Sequence, residues 1–202
     1  MRPALDREYL ATAALALIDS IGLEKFSMRR LGATIGVDPM AAYRHFQDRE
    51  ALFDGVAEAI FGETSPDTLP WESTWPDLAR EYCQRLRTAL LRHPHAVPVF
   101  ATRPLRSATS VQVGVRMLAK LEDAGLANAD ALRILRCLRE YTIGHSLSVS
   151  TLQLGSQRRS RKPNPSDLSY NTLAHAADQA SPEDHFDLGL EAMLRGFLWQ
   201  FG

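Results

Sequence analysis

The sequence predicts an all-α protein. Apolar residues recur at helical spacing from Leu10 to Ile21, so that one stripe of a first helix faces inward. Capping residues and glycines mark the starts and ends of further helices along the chain. No segment shows the alternating apolar and polar pattern of a half-buried β-strand between hairpin turns.

The N-terminal part of the chain predicts four helices, and capping chemistry sets their boundaries. Ser27, Asp38 and Asp48 carry short side chains whose oxygen can accept hydrogen bonds from a first helical turn. Gly22 and Gly36 stop the first two helices, because glycine adopts a left-handed backbone without strain. We expect the four helices over residues 10–21, 27–35, 39–46 and 48–63.

A change of composition follows these helices. The segment GETSPDTLPWESTWP is rich in proline and hydroxyl residues, which is typical of a loop. It indicates an N-terminal domain over residues 1–50, connected through helix 48–63 to a C-terminal domain over residues 64–202. In the second domain we expect helices over residues 74–92, 96–102, 107–124, 130–154 and 182–202.

A basic segment, GSQRRSRKPNPSDLSYN, separates the last two long helices. Its four basic residues lie between positions 158 and 162 and are followed by two prolines. This composition predicts a surface loop. A second contact with nucleic acid is the alternative interpretation.

Composition and charge are those of an ordinary globular protein. The chain is 45% hydrophobic and 23% charged, with a net charge of −1, so any signal for a polyanionic partner must be local. Cys83 and Cys137 are predicted to be reduced core thiols. Without a signal peptide or an apolar run approaching ~18 residues, a cytoplasmic location is expected.

Two short helices joined by a glycine turn predict a helix-turn-helix. The helices must cross closely, so a small residue is needed at the contact, and Gly32 supplies it. Gly36 lets the chain reverse with a positive φ. The third helix can bury only Ala42 and Phe46, which leaves its other side chains free to enter a DNA major groove.

The candidate DNA-binding residues fall into two groups. Tyr43, His45 and Arg49 can donate to phosphate oxygens, and Ser27 lies where another phosphate can be met. Arg29 can reach a guanine edge. The full predicted set is Ser27, Met28, Arg29, Pro39, Met40, Ala41, Tyr43, Arg44, His45 and Arg49. The alternative is that the aromatic and imidazole side chains merely cover a pair of helices.

The stretch FSMRRLGATIGVDPMAAYRHFQDREALFDGV resembles the DNA-binding head of the TetR family of bacterial transcription regulators. The residues that meet the family pattern are Ser27, Arg29, Leu31, Gly32, Gly36, Tyr43, His45 and Arg49. Ala42 departs from the usual larger aliphatic residue, and Met40-Ala41 replaces a more polar pair. The operator sequence therefore cannot be taken from the family.

The rest of the chain resembles the ligand-binding domain of the tetracycline-repressor type, in ALLRHPHAVPVFATRP, LEDAGL, YTIGHSL and LGLEAMLRGF. The resemblance implies a three-helix helix-turn-helix head, a larger helical ligand-binding and dimerisation body, and a homodimer joined by a four-helix bundle. The last helix shows a broad apolar face of its own. Its predicted interface residues are Phe186, Gly189, Leu190, Met193, Gly196 and Phe197. The alternative is that this stripe packs inside one subunit.

A ligand cavity is expected within the body, where polar or aromatic residues interrupt apolar helix faces. An apolar cavity with a few polar anchors is the usual form of a small-molecule site. The predicted ligand-binding residues are Trp75, Tyr82, Leu86, Phe100, Arg103, Met117, Tyr141 and His145.

The resemblance also implies positions for a tetracycline–magnesium site, and the sequence departs from them. The metal-binding imidazole falls on Val99, the drug-binding imidazole on Ser65, and the carboxylate that reaches the metal through water on Ser148. Tyr82 and Leu86 stand where the resemblance implies an amide and a phenyl side chain in contact with the rings of the drug. Magnesium needs oxygen ligands and negative charge. We therefore predict a different small-molecule effector, with no metal and no cofactor.

Signals for an enzyme are lacking in the sequence. It contains no G-x-S-x-G, phosphate loop, dinucleotide fingerprint or H-E-x-x-H. His93 and His95 form an H-x-H pair, interpreted as a helix-ending loop because a metal site would need further ligands nearby.

The sequence thus predicts a transcription regulator that binds double-stranded DNA. The expected form is a homodimeric repressor that a small molecule releases from a palindromic operator. An activator or a regulator controlled by a protein partner is the alternative within the family, and an all-α ligand-binding protein without DNA binding is the alternative outside it.

Overall fold

The computed structural model describes residues 5–156, 171–172, 175–176 and 182–201, and every regular element in these ranges is helical. The all-α prediction is therefore confirmed. The basic segment at 158–162 lies outside the described residues. The α-helices are α1 (Arg7–Ile21), α2 (Met28–Ile35), α3 (Pro39–Tyr43), α4 (Arg49–Gly62), α5 (Trp75–Arg92), α6 (Val97–Ala101), α7 (Ala108–Asp123), α8 (Asn128–Ser156) and α9 (Pro182–Phe201).

The predicted N-caps of the first domain are confirmed. The side chains of Ser27 and Asp48 each accept a hydrogen bond from the backbone N–H three residues later, at 3.2 and 2.7 Å. Asp38 accepts from the N–H of Met40 at 2.8 Å. Each bond satisfies a donor that the first helical turn leaves unpaired, so local chemistry fixes where these helices begin.

The third helix is shorter than predicted, because α3 ends at Tyr43 and does not reach Phe46. The N–H of Arg44 bonds to the carbonyl of Ala41 in a tightened turn. The chain then turns Phe46 into the core, where its side chain is 1% exposed.

Gly32 and Gly36 build the turn between α2 and α3 as predicted. Gly36 has φ 70° and ψ 37°, the left-handed conformation that ends α2. A Cβ on Gly32 would lie 2.9 Å from the carbonyl oxygen of Val37 and 3.1 Å from the Cα of Pro39. Both neighbours are backbone atoms, so only glycine lets α2 and α3 cross at this distance.

One hydrophobic core runs through the first domain and into the second. α1 packs along α4, and α4 continues onto α6. Leu10 of α1, Leu52 and Ile60 of α4, and Phe100 of α6 belong to this same cluster and are all fully buried. α4 is therefore shared by both parts of the chain.

A second core joins α5, α8 and α9. Trp75, Leu138, Phe186 and Leu190 are buried in it. Within the described ranges, no helix has both the length and the apolar character needed to cross a membrane.

α9 is fixed against α8 by Tyr141. The Tyr141 hydroxyl donates to the backbone carbonyls of His185 and Phe186 at 3.1 and 3.0 Å, and its ring stacks on Phe186 with centroids 5.5 Å apart. A Cβ on Gly189 would lie 2.1 Å from the Tyr141 hydroxyl oxygen. Phe186 and Leu190 thus pack inside one subunit, and their assignment to the dimer interface is wrong; Gly189 is half-buried, and its assignment stays a prediction.

The two cysteines differ in their surroundings. Cys83 is a buried thiol, as predicted, and burial raises its pKa to about 11. Cys137 is exposed on α8, so its assignment to the core is wrong.

Replacing Gly32 with Ala should destabilise the protein by about 1–3 kcal/mol, because the new methyl group would press on backbone atoms that cannot move independently. The measurement is the free energy of unfolding in urea. Gly114→Ala is the matched control: its Cβ would meet no atom within 4 Å, so helix propensity should make it neutral or stabilising by about 0.5–1 kcal/mol. Equal effects of the two substitutions would contradict the close crossing.

Candidate DNA-binding surface and ligand cavity

The surface of α3 is mostly turned to solvent. The side chain of Met40 is 63% exposed and that of Tyr43 is 40% exposed, whereas Ala42 is completely buried. Ala42 and Phe46 hold the helix to the core, as predicted. α3 can therefore be approached by a partner along its outer side.

Arginines surround this helix. Arg29 and Arg44 are exposed, and no ion pair holds either of them within the described part of the chain. Arg49 is exposed as well, and its guanidinium lies 4.8 Å from the Phe53 ring centroid. Free guanidinium groups around an exposed helix form a local positive surface, although the chain as a whole is close to neutral.

Arg7 supports α3 from α1 and was not predicted from the sequence. Its guanidinium lies 4.3 Å from the Phe46 ring centroid and donates to the backbone carbonyl of His45 at 2.5 Å. The partners are far apart in the chain, so no local pattern indicates this contact. Arg7 fixes the backbone that carries His45.

Met28 does not belong to the DNA-binding surface. Its side chain is 6% exposed and lies in the hydrophobic core at the start of α2. Ser27 is half-buried, and its hydroxyl caps α2. The prediction for Met28 is wrong because the first helical turn directs it inward.

A cavity of about 280 Å³ lies between α5, α7 and α8, closed at one end by α4 and the segment before α7. Tyr82 and Met117 line it, as predicted. The other lining residues are Phe61, Ala79, Cys83, Pro104, Leu105, Ser110, Val113, Gly114, Leu118, Leu132, Leu135, Arg136, Leu138 and Arg139. No carboxylate or imidazole is among them.

The remaining predicted ligand residues lie elsewhere. Trp75 is buried in the core of α5, α8 and α9, and Leu86 and Phe100 are fully buried in the core shared with the first domain. Tyr141 and His145 pack against Phe186 of α9. None of these five residues lines the 280 Å³ cavity, because an apolar helix face packs on a neighbouring helix more often than on a cavity.

Arg103 is also not a cavity residue. Its guanidinium pairs with Glu50 and with Asp54, the latter at 3.2 Å. Both acids belong to α4. Arg103 therefore joins the end of the α6 segment to the helix that carries the first domain.

Glu58 of α4 connects the cavity wall to the same helix. One carboxylate oxygen accepts from the backbone N–H groups of Arg106 and Ser107 at 2.7 and 2.8 Å. The Ser110 hydroxyl donates to that oxygen at 3.1 Å, and Ser110 lines the cavity. A negative charge at the start of α7 is favourable, since the first N–H groups of a helix are unpaired. Sequence reasoning missed this contact because its partners lie on different helices.

His93 forms a third connection between the two parts of the chain. Its Nδ1 lies 2.6 Å from a carboxylate oxygen of Asp19, and its Nε2 lies 2.8 Å from one of Glu63. Asp19 is on α1 and Glu63 follows α4. The hydrogen bond with Asp19, supported by Glu63, raises the pKa of His93 above its ordinary value. Among the described residues no group of three or more His, Cys, Asp or Glu could hold a metal ion.

A larger groove of about 890 Å³ opens between α1 and the segment before α7. Of the acids that line it, Asp54, Glu58 and Glu63 are bonded to Arg103, to the α7 N-terminus and to His93, whereas Glu8 is exposed. The 280 Å³ cavity, whose lining is mostly apolar, is the better candidate for a ligand site.

A helix-turn-helix with an exposed third helix, joined to a helical body that contains an apolar cavity, defines a DNA-binding transcription regulator with a ligand-binding domain. Two family models match the chain: Bacterial regulatory proteins, tetR family, over residues 10–56, and Tetracyclin repressor-like, C-terminal domain, over residues 68–200. The chain belongs to the TetR family, whose members are non-enzymatic transcription factors.

Relatives match along nearly the whole chain. An HTH-type transcriptional regulator of Saccharopolyspora erythraea is 28% identical, covering 96% of this chain and 85% of the relative. The tetracycline repressor protein class G of Vibrio anguillarum is 28% identical, covering 96% and 93%. The crystal structure of TetR from Acinetobacter baumannii AYE superposes with a TM-score of 0.81 at 26% identity, covering 98% of this chain and 99% of that chain.

The ion pairs of His93 predict a dependence of stability on pH. Because its pKa is higher in the folded than in the unfolded protein, the stabilisation is complete below the ordinary pKa of 6.5 and is lost as pH rises through the folded value. The free energy of unfolding of the wild type should therefore approach that of His93→Asn as pH increases above 6.5. Urea titrations of both proteins measure this difference, with His95→Asn as the control. A constant difference across the series would contradict the pairing.

Proposed function

We propose that the protein is a repressor that binds a palindromic operator as a homodimer and leaves it when a small molecule enters the 280 Å³ cavity. The observation that carries this proposal is the hydrogen bond between Ser110 in the cavity wall and Glu58 on α4. α4 is packed against α1, so a change at the cavity is transmitted to the first domain. Functionally, residues 1–50 bind DNA and residues 64–202 bind the ligand and the second subunit, with α4 as the connection.

DNA contact is assigned to the outer side of α3 and its surroundings. Tyr43, His45 and Arg49 donate to phosphate oxygens, which sets the position of the helix on the duplex. Arg29 and Met40 lie where base edges can be read, the first by hydrogen bonds and the second by apolar contact. The remaining predicted contacts are Ser27, Pro39, Ala41 and Arg44, all at least partly exposed.

Dimerisation is assigned to the outer faces of α8 and α9. Leu188 is 72% exposed and Trp199 is 90% exposed, and both lie on one stripe of α9 with Gly196. Leu152 of α8 is also exposed. Exposed apolar residues in such a row favour a protein contact. Met193 and Phe197 are half-buried and pack against the core of α5, α8 and α9, so the proposed interface is rotated from the predicted one.

The effector is assigned to a compound other than tetracycline with magnesium. The cavity lining offers no carboxylate or imidazole to a metal ion. Val99, at the position of the expected metal ligand, is a buried apolar residue.

Release follows if the ligand favours the conformation whose DNA-binding helices miss the operator. A ligand shifts an equilibrium only through its different affinity for the two states, and a few kcal/mol is sufficient. Selecting bound duplexes from a random pool, then screening compounds that release them, tests the whole proposal. A selected sequence without two-fold symmetry, or a monomeric sedimentation mass on DNA, would contradict it.

Tyr43→Phe removes only a hydroxyl and should weaken binding to all operator variants by about the same factor, because phosphate contacts carry no sequence information. The loss should be about 0.5–1.5 kcal/mol, the net value of one hydrogen bond. Fluorescence anisotropy on the selected operator and its single-base variants measures it.

Arg29→Gln is the comparison for Tyr43→Phe. This substitution should relax the base preference at one base pair in each half-site. The difference in binding free energy between the preferred and the wrong base should fall by about 1–3 kcal/mol. If Tyr43→Phe changed discrimination at one position instead, the assignment of Tyr43 to phosphate would be wrong.

Glu58→Gln should separate ligand binding from release. The amide cannot accept all the hydrogen bonds that the carboxylate receives from the start of α7 and carries no charge, so the connection between α7 and α4 is weakened. The screened effector should still bind, while its power to release the operator falls by about tenfold or more, corresponding to ~1.4 kcal/mol of coupling. Glu122→Gln, on the exposed end of α7, should behave as wild type. Normal release by the Glu58 variant would reject this connection.

A further inference from the structure

The charged groups of the cavity are of one sign. Among the described residues that line it, the charged side chains are Arg136 and Arg139, three residues apart on α8, and no acid accompanies them. The rest of the lining is apolar apart from a few groups such as the Tyr82 hydroxyl and the Ser110 hydroxyl. The cavity therefore has a positive potential inside apolar walls.

Arg139 has no carboxylate partner in the described part of the chain. Other arginines are paired: Arg80 with Glu191, Arg85 with Glu81, and Arg133 with Asp130 at 2.7 Å. The guanidinium of Arg139 instead lies 5.5 Å from the Phe100 ring centroid. A half-buried cation facing an apolar space without a counterion is energetically unfavourable. Pairing with the guanidinium therefore favours the binding of an anion in this space.

Arg139 and Tyr82 line the same cavity. Burial raises the pKa of the Tyr82 hydroxyl, and the charge of Arg139 offsets part of that rise. Arg136 is more exposed and lies nearer the outside.

The volume limits the apolar part of an occupant. A dry cavity of about 150 Å³ holds one benzene, so about 280 Å³ accommodates two fused rings or a chain of similar volume. Guanidinium groups bind carboxylates with two parallel hydrogen bonds, which gives both affinity and orientation.

We propose that the cavity selects a small apolar carboxylate, about two rings in size, whose carboxylate pairs with Arg139 while its apolar part is buried between α5, α7 and α8. This rests on the proposed function, in which the cavity is the effector site. Arg136 assists from the rim of the cavity.

The test compares three probes of one shape by titration calorimetry on the full chain: 2-naphthoate, the neutral 2-naphthamide and the cationic 2-naphthylmethylammonium. The acid should bind at least about tenfold more tightly than the amide, the usual margin of a charge-assisted hydrogen bond, and the ammonium should bind most weakly. Equal affinities, a preference for the ammonium, or no binding of any probe would overturn the proposal.

Substitutions locate the effect. Arg139→Gln should abolish the preference for the acid while affinity for the amide changes less than about twofold, and Arg139→Lys should keep part of the preference, because a point charge lacks the planar fork. Arg136→Gln should have a smaller effect. Arg133→Gln, on the same helix but outside the lining, is the matched control. A preference for the acid that persists in Arg139→Gln would also overturn the assignment.

The same proteins distinguish this inference from the proposed function. If 2-naphthoate binds through Arg139 but neither it nor any related acid releases the selected operator, the ligand class stands and the proposed repressor mechanism fails. If a screened compound releases the operator with an affinity that does not depend on Arg139, the repressor mechanism stands and the ligand class fails.

Discussion

The structure depends on α4 being packed on two sides at once. Leu52, Val56 and Ile60 of this helix are completely buried in a core that continues from α1 to α6. A helix shared in this way cannot rotate without repacking both parts, because protein interiors are as dense as crystals. The polar side of α4 carries Glu58, whose bonds to the start of α7 place the same constraint next to the cavity.

Features that rest on local chemistry could be predicted from the sequence. The N-caps at Ser27, Asp38 and Asp48 and the left-handed Gly36 depend on residues a few positions apart, and the structure shows them where they were expected. The end of α3 could not be predicted, because Phe46 is drawn out of the helix by a core that forms from distant segments. Tertiary packing overrides helix propensity at such positions.

The cavity and the outer face of α9 were only partly predictable for a different reason. Periodicity shows that one side of a helix is buried but does not show what covers it. Tyr141 packs on α9 and Tyr82 lines the cavity, although both interrupt apolar stripes in a similar way. On α9 the apolar residues surround most of the helix, so the buried stripe of Phe186 and Leu190 and the exposed stripe of Leu188 and Trp199 could be separated only by the fold.

The junction between the two parts combines two kinds of contact with different consequences. The apolar core along α4 resists displacement because it is densely packed, whereas the bonds of Glu58, Arg103 and His93 are directional and join particular positions of the two parts. In the proposed mechanism, a displacement of the cavity wall would change both the packing of α4 and these directional bonds. Ser110 contributes to the cavity lining and to the Glu58 network, and this shared residue is the basis for the proposed coupling between the cavity and the junction.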